Sequence, residues 1–270
     1  MIVLRQLGMY LRRVWWEQTS YKTALALGAV TSGVGLVQFI LLGHYLQAGN
    51  QFADLNAYGG NIVAYFLSGS VFAGFVAVCL SGFSSYLQAE QHAGTLESVA
   101  MSPMPLSRAM VFSGVGGLIG TVIGSAVMLG TFGLLFHIRY QVDLAGMVLV
   151  LTFLVLALGS CGLAGCGVLL ITKRGDPVTW VVTTLTTLLS GVLYPPSVLP
   201  GWLQSVAGVL PTTYALDGLR RSMLAGAGAA SVWGSVVPLA VWAAIGLPLG
   251  FLVLRYGLAR AQREGTLAEF

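Results

Sequence analysis

The sequence predicts an all-α membrane protein: six transmembrane helices, an interfacial helix ahead of them and short helices between them. Three observations carry that prediction. Only 8% of the 270 residues are charged and 56% are hydrophobic, with a mean hydropathy of +0.85. A soluble domain carries about 25% charged residues, because its surface must be solvated. Ignoring histidine, the charges leave six open runs, 23–53, 55–89, 109–138, 144–172, 177–216 and 222–254. Each exceeds the roughly 20 apolar residues that a bilayer-spanning helix needs. Finally, none of the runs alternates as the ~10-residue strands of a closed barrel would.

Residues 1–22 come first. Wound as a helix, they place Leu4, Leu7, Leu11, Val14 and Trp15 on one face, with Arg5, Arg12, Arg13 and Glu17 on the others. Those charges interrupt any signal-peptide core. An amphipathic helix of this kind rests in the interface, with Trp15 and Trp16 at headgroup depth; the alternative is a frayed basic tail. The transmembrane domain then covers 23–256, with spans near 24–46, 60–86, 107–136, 145–171, 178–194 and 234–256, and 257–270 forms a tail.

Lysine and arginine set the orientation. With the N-terminus inside, Arg5, Arg12, Arg13, Lys22, Arg108, Lys173, Arg174, Arg255, Arg260 and Arg263 fall in cytoplasmic segments, and only Arg139, Arg220 and Arg221 fall outside. Both termini are therefore expected in the cytoplasm. Basic residues at span ends meet anionic lipid headgroups, so the sequence pI near 9.1 requires no nucleic acid. Cys79, Cys161 and Cys166 lie inside spans as small apolar residues, which points to neither a disulfide nor a metal site.

Between the second and third spans stands QAEQHAGTLESVAMSPMP, residues 88–105. Gly94 precedes a helix start, Thr95 is its N-cap and Glu97 lies in its positive first turn. Leu96, Val99 and Ala100 share a face, and Pro103 stops the helix. The outcome is a short amphipathic helix on the cytoplasmic surface: a docking surface, or a capped connector.

The third and fourth spans are glycine-patterned. Gly116, Gly120 and Gly124 make two overlapping G-x-x-x-G steps, and Gly159, Gly162, Gly165 and Gly167 soften the fourth span. Both patterns read as close helix packing. The fifth span carries Thr179, Thr183, Thr184, Thr186, Thr187 and Ser190. Such hydroxyls bond carbonyls of their own helix or line a path. Gln38, Thr183 and Thr187 are the path-lining candidates.

Outside lies YPPSVLPGWLQSVAGVLPTTYALDGLRR, residues 194–221. Pro195, Pro196, Pro200 and Pro211 break this run. Trp202, Leu203, Val206 and Leu210 line one short helix, and 213–223 form a second, in which Asp217 precedes Arg220 and Arg221 at helical pairing distance. A helical pair dipping into the outer leaflet is expected, serving as a gate or as an interfacial cap. Pro196, Pro200, Trp202, Pro211, Tyr214, Asp217, Arg220 and Arg221 are its candidate residues.

Several chemistries are excluded. The only lysines, Lys22 and Lys173, lack the G-x-x-x-x-G-K-[ST] context that cradles nucleotide phosphates. His44, His92 and His137 have no metal spacing, and neither G-x-S-x-G nor H-E-x-x-H occurs. No charge sits at a span centre, which argues against a carboxylate proton relay. No catalytic residue is assigned.

The motifs, taken in order, resemble those of type 2 ABC exporter permeases. GTLE at Gly94–Glu97, after Glu90 and before Ser102 and Pro103, resembles the first cytoplasmic loop of that family. Gln91, His92 and Ala93 stand where the family often has a basic residue. Lys173 to Pro177 is similar to the second cytoplasmic loop, with Lys173, Arg174 and Asp176 its candidate residues. Pro196, Leu199, Pro200, Pro211, Tyr214 and Arg220 resemble the last extracellular loop, which forms re-entrant helices.

The resemblance implies a half-transporter in the plasma (inner) membrane of a prokaryote, with a second copy of the chain and two ABC ATPase subunits as partners. It makes 94–102 a coupling helix, with Glu90, Gly94, Thr95, Leu96, Glu97, Val99 and Pro103 at the ATPase contact. It leaves this chain without a cofactor, ATP and Mg being held by the ATPase. The implied cargo of export is a lipid, a hydrophobic drug or a lipid-linked glycan. An ATP-independent secondary carrier and a membrane scaffold or assembly factor are the competing readings.

Overall fold

The computed structural model describes residues 62–94, 106–138, 140–172, 176–192, 194 and 196–263, together with Gly8, Arg12, Gly33 and Val37, which have helical backbone. The interfacial helix expected over 1–22 and the first span at 24–46 otherwise lie outside the described residues. So do Thr95, Leu96, Glu97, Val99 and Pro103 of the coupling segment, Lys173, Arg174, and Gln38.

Among the described residues the fold is all-helical. Seven helices follow in order: α1 Ile62–His92, α2 Leu106–Leu135, α3 Leu144–Thr172, α4 Pro177–Leu189, α5 Gly201–Ala207, α6 Pro211–Leu224 and α7 Trp233–Arg263, with a 3-10 turn at Pro196–Val198 before α5. Within them, four segments are long and apolar enough to cross a membrane: Val63–His92, Arg108–Leu135, Leu144–Thr172 and Trp233–Ala261. One end of the bundle collects the α2–α3 link and everything between α4 and α7. The opposite end collects the ends of α1 and α7 and the starts of α2 and α4.

Two boundaries differ from the sequence expectation. The run expected as a span over 178–194 is helical only to Leu189, 13 residues from Pro177, or about 20 Å. It stops because the chain turns at Gly191, whose φ of +87° is left-handed, and because Pro195 and Pro196 follow. Residues 257–263, expected in a tail, continue α7 as helix.

α3 is the hub, packing against α7, α1, α6 and α4, while α2 lies on α1. The main core interleaves Phe72, Phe75 and Leu80 of α1 with Leu154 and Leu158 of α3, Leu216 and Leu219 of α6, and Leu239 of α7. A second cluster at the opposite end joins Leu87, Met110, Leu170 and Leu254. The outward faces stay apolar: Val122 and Val127 on α2, and Val241, Ile245 and Leu249 on α7, are exposed. That belt suits lipid, since hydrocarbon is the solvent in which such faces cost nothing.

Glycine sets the closest approaches, on α3 rather than α2. A Cβ on Gly162 would collide with the Cys79 carbonyl of α1, and one on Gly250 or Gly257 of α7 with the carbonyls of Ser160 and Gly167. Gly120 and Gly124, expected to form the packing face of the third span, meet nothing within 4 Å among the described residues. The packing stripe is Gly162, Gly165 and Gly167, because α3 is surrounded and α2 is peripheral.

Candidate functional site

Two polar clusters interrupt the apolar bundle, one near each end. The first is built on Arg220. α6 starts at Pro211, whose fixed φ suits a first helical turn, and it is buried on most of its surface from Thr212 to Leu224. Arg220 therefore points into protein and is only 3% exposed. Its Nε donates to Ser68 Oγ at 3.2 Å, Nη1 to the Gly191 carbonyl at 3.1 Å and Nη2 to the Tyr65 carbonyl at 3.5 Å. The guanidinium also stacks on the Tyr65 ring, 3.5 Å from its centroid. Ser68 in turn donates to the Tyr65 carbonyl at 2.7 Å, and Tyr65 Oη donates to the Gly191 carbonyl at 2.9 Å.

The planar fork of arginine is what allows one side chain to reach several oxygens at once. It joins α1, the break after α4, and α6. Gly69 leaves the space, since a Cβ there would stand 3.0 Å from the Val192 carbonyl and 3.5 Å from Arg220 Nη2.

Asp217 and Arg221 behave as the sequence suggests. Arg221 Nε lies 3.0 Å from Asp217 Oδ2, on the exposed side of α6, and Ser235 of α7 donates to the same oxygen at 3.3 Å. Arg220 parts company with its neighbour, because its position one residue earlier turns it 100° around the helix.

The rest of the segment between α4 and α7 is held largely by its own carbonyls. Tyr214 Oη donates to the Gly208 carbonyl at 2.6 Å, and Gln204 Nε2 to the carbonyls of Ser197 and Leu199 at 3.2 and 2.8 Å. Trp242 of α7 donates to the Val209 carbonyl at 2.9 Å. Pro196 opens the 3-10 turn and Pro200 stands at the N-cap of α5. Trp202, 70% exposed, and Val206 face outward as apolar surface.

The second cluster is built on Asp176, at the opposite end. Asp176 caps α4, accepting from the Thr179 amide at 3.0 Å through Oδ1. Its Oδ2 accepts from Ser84 of α1 at 2.6 Å and lies 2.6 Å from Thr179 Oγ1. Thr179 Oγ1 is also 3.2 Å from the Leu80 carbonyl of α1, so its single proton is shared between two acceptors. Gly165 of α3 makes the site possible, because a Cβ there would stand 2.8 Å from Asp176 Oδ1. This carboxylate thus ties α4 to α1 while lying close against α3 at Gly165.

The remaining sequence candidates fall as follows. Glu90 is half-buried on α1, and α1 ends where Gly94 adopts a φ of +66° with its amide on the Gln91 carbonyl. Gly94 therefore terminates the helix before it. Thr183 and Thr187 lie on the exposed face of α4 with Trp180 and Leu188. Thr187 Oγ1 bonds the Thr183 carbonyl at 2.9 Å, so its hydroxyl is satisfied within the helix.

Tyr65, Ser68, Ser84 and Gly191 escaped sequence reasoning. Tyr65 and Ser68 are three apart, as helix neighbours are, but one polar pair in a long apolar run specifies no partner. No group of three or more potential metal ligands occurs among the described residues.

No curated protein matches the chain significantly. A family model does match: that of the ABC-2 type transporters, over residues 5–224, a range that contains both clusters, the segment 94–103 and the outer helical pair. With most of its length matched in this way, and with apolar helices of membrane-crossing length, the chain belongs to the ABC-2 type transporter family and is a multi-pass membrane permease.

Proposed function

We propose that this permease is the membrane half of an exporter driven by ATP bound to separate ABC ATPase subunits. Two copies of the chain pair in the plasma membrane of a prokaryote, and two ATPase subunits dock beneath them. Six spans cross the bilayer, both termini are cytoplasmic, and the end of the bundle holding Gly94 and Asp176 faces the ATPase. The cargo is a lipid, a hydrophobic drug or a lipid-linked glycan, consistent with apolar spans that carry hydroxyls but no charge at their centres.

One observation supports this reading above the others. α1 is 31 residues long, about 46 Å, against a hydrocarbon core of about 30 Å. Its final turns, with Glu90, therefore project beyond the apolar slab and lead straight into the docking segment. A helix is stiff along its axis, so a push on residues 94–103 reaches the core through α1. Glu90 and Glu97 are contact residues in this account, and ATP and Mg are bound by the ATPase. At the other end, the pair α5–α6 lies in the outer leaflet as a gate, with Trp202 and Val206 toward lipid and Arg220 as its anchor.

The test is co-purification of the ATPase with Glu97→Arg. Charge reversal in the proposed docking segment is expected to abolish capture of the ATPase while the chain still inserts. Undiminished capture would remove the docking assignment.

A further inference from the structure

We infer that Asp176 is a positioning residue that locks α4 to α1, so that the two helices move as one strut when the 94–103 segment is pushed. The inference rests on the reading of that segment as the ATPase dock. Its observational basis is independent of that reading: α4 is pinned to α1 at both of its ends.

At the start of α4, Ser84 Oγ donates to Asp176 Oδ2 at 2.6 Å, and Thr179 Oγ1 lies 3.2 Å from the Leu80 carbonyl. At its end, Tyr65 Oη donates to the Gly191 carbonyl at 2.9 Å and Arg220 adds a second donor to the same oxygen at 3.1 Å. The two pins flank α4, at Asp176 just before its first residue and at Gly191 two residues past Leu189, and they meet α1 at Ser84 and Tyr65. On α1 the separation from 65 to 84 is about 28 Å of helix, so α4 lies antiparallel to α1 between two fastenings. A single pin leaves a hinge; two leave a strut.

α4 also packs against α3, but among the described residues its first turn is held by side-chain hydrogen bonds to α1. α4 is 13 residues long and exposes Trp180, Val181, Thr183, Thr187 and Leu188. Its apolar packing is thin, with Thr186 and Leu189 its buried residues. The hydrogen bonds of Asp176 therefore decide where its first turn sits. Asp176 belongs to the loop before α4 and Ser84 to the helix that leads to the dock, so the start of α4 is fastened to α1. The consequence for transport is that α4, with its exposed hydroxyl face, follows α1.

The experiment uses the full chain in lipid nanodiscs, with Cys79, Cys161 and Cys166 replaced by alanine. Spin labels go on Ala89→Cys of α1 and Trp180→Cys of α4, both exposed positions. In the isolated chain, the label–label distance is expected to be single and narrow. It is expected to stay so with Thr179→Ser, which keeps the hydroxyl, and to broaden when Ser84→Ala and Thr179→Val are combined. The amide cap from Thr179 to Asp176 survives that pair of changes, so α4 itself remains helical. If the double variant fails to fold, Ser84→Ala alone deletes one oxygen and asks the same question.

With the ATPase subunit bound and trapped by ATP and vanadate, the unsubstituted distance is expected not to change, while the double variant loses that constancy and still retains the ATPase. A double variant as narrow as the parent, or a parent distance that shifts on trapping, would overturn the strut. Failure of the parent chain to bind the ATPase would contradict the docking reading alone, because the comparison in the isolated chain decides the lock.

Discussion

Arg220 and Tyr140 show how single side chains are tuned here. Arg220 gives three donors to three oxygens on two other segments, and a buried hydrogen bond from a charged group contributes about 1.5–3 kcal/mol. Arg220→Ala is expected to lower stability by about 2–4 kcal/mol, allowing for relaxation of the acceptors. Thermal unfolding in detergent measures this. Arg220→Lys should recover less than half, since an ammonium cannot reproduce the fork; full recovery would mean that charge alone matters. Tyr140, in the α2–α3 link, is the opposite case. Its Oη is buried without a hydrogen-bond partner among the described residues, and burial pushes its phenol above the ordinary value. Tyr140→Phe is therefore expected to leave stability unchanged or to raise it by about 1 kcal/mol. In the parent, whatever the neutral phenol contributes is present below the ordinary phenol range and is lost as pH rises through the elevated value. An alkaline unfolding series on parent and variant checks that sign.

At the scale of elements, the long apolar helices were legible because an uncharged run of membrane-spanning length marks each one, as a bilayer demands of a span. The end of α4 was not. Gly191 and the prolines after it were visible, but the apolar run continues past them, and hydropathy does not register a left-handed turn. The clusters were half legible. Asp176 and Arg220 stand out as rare charges beside long apolar runs, while their partners Ser84, Ser68 and Tyr65 are ordinary span residues. Glycine spacing misled in another way, since a G-x-x-x-G pattern says that a close approach is possible, not that a neighbour is there. Gly162→Val is accordingly expected to be severely destabilising, by at least about 3 kcal/mol, because the added carbons meet the Cys79 carbonyl of α1. Gly120→Ala, with open space around it, should be neutral or stabilising by about 0.5–1 kcal/mol. Expression and unfolding of the two variants separate these outcomes; equal damage from both would contradict the assigned packing faces.

Across the whole molecule, the two clusters divide the work between the two ends. Near the α5–α6 pair, Arg220 holds α6 against α1 and the turn at Gly191; at the other end, Asp176 holds α4 to α1, close against α3. α1 is common to both and continues into the segment where an external ATPase is proposed to act. For an external ATPase to act there, that segment must face the cytoplasm and be covered by the soluble partner. The most direct test labels Val99→Cys with a membrane-impermeant maleimide, in a chain whose native cysteines have been replaced. Labelling is expected in inverted vesicles, not in intact cells, and should be lost once the ATPase is bound. Labelling of Val99→Cys from outside intact cells would contradict the account.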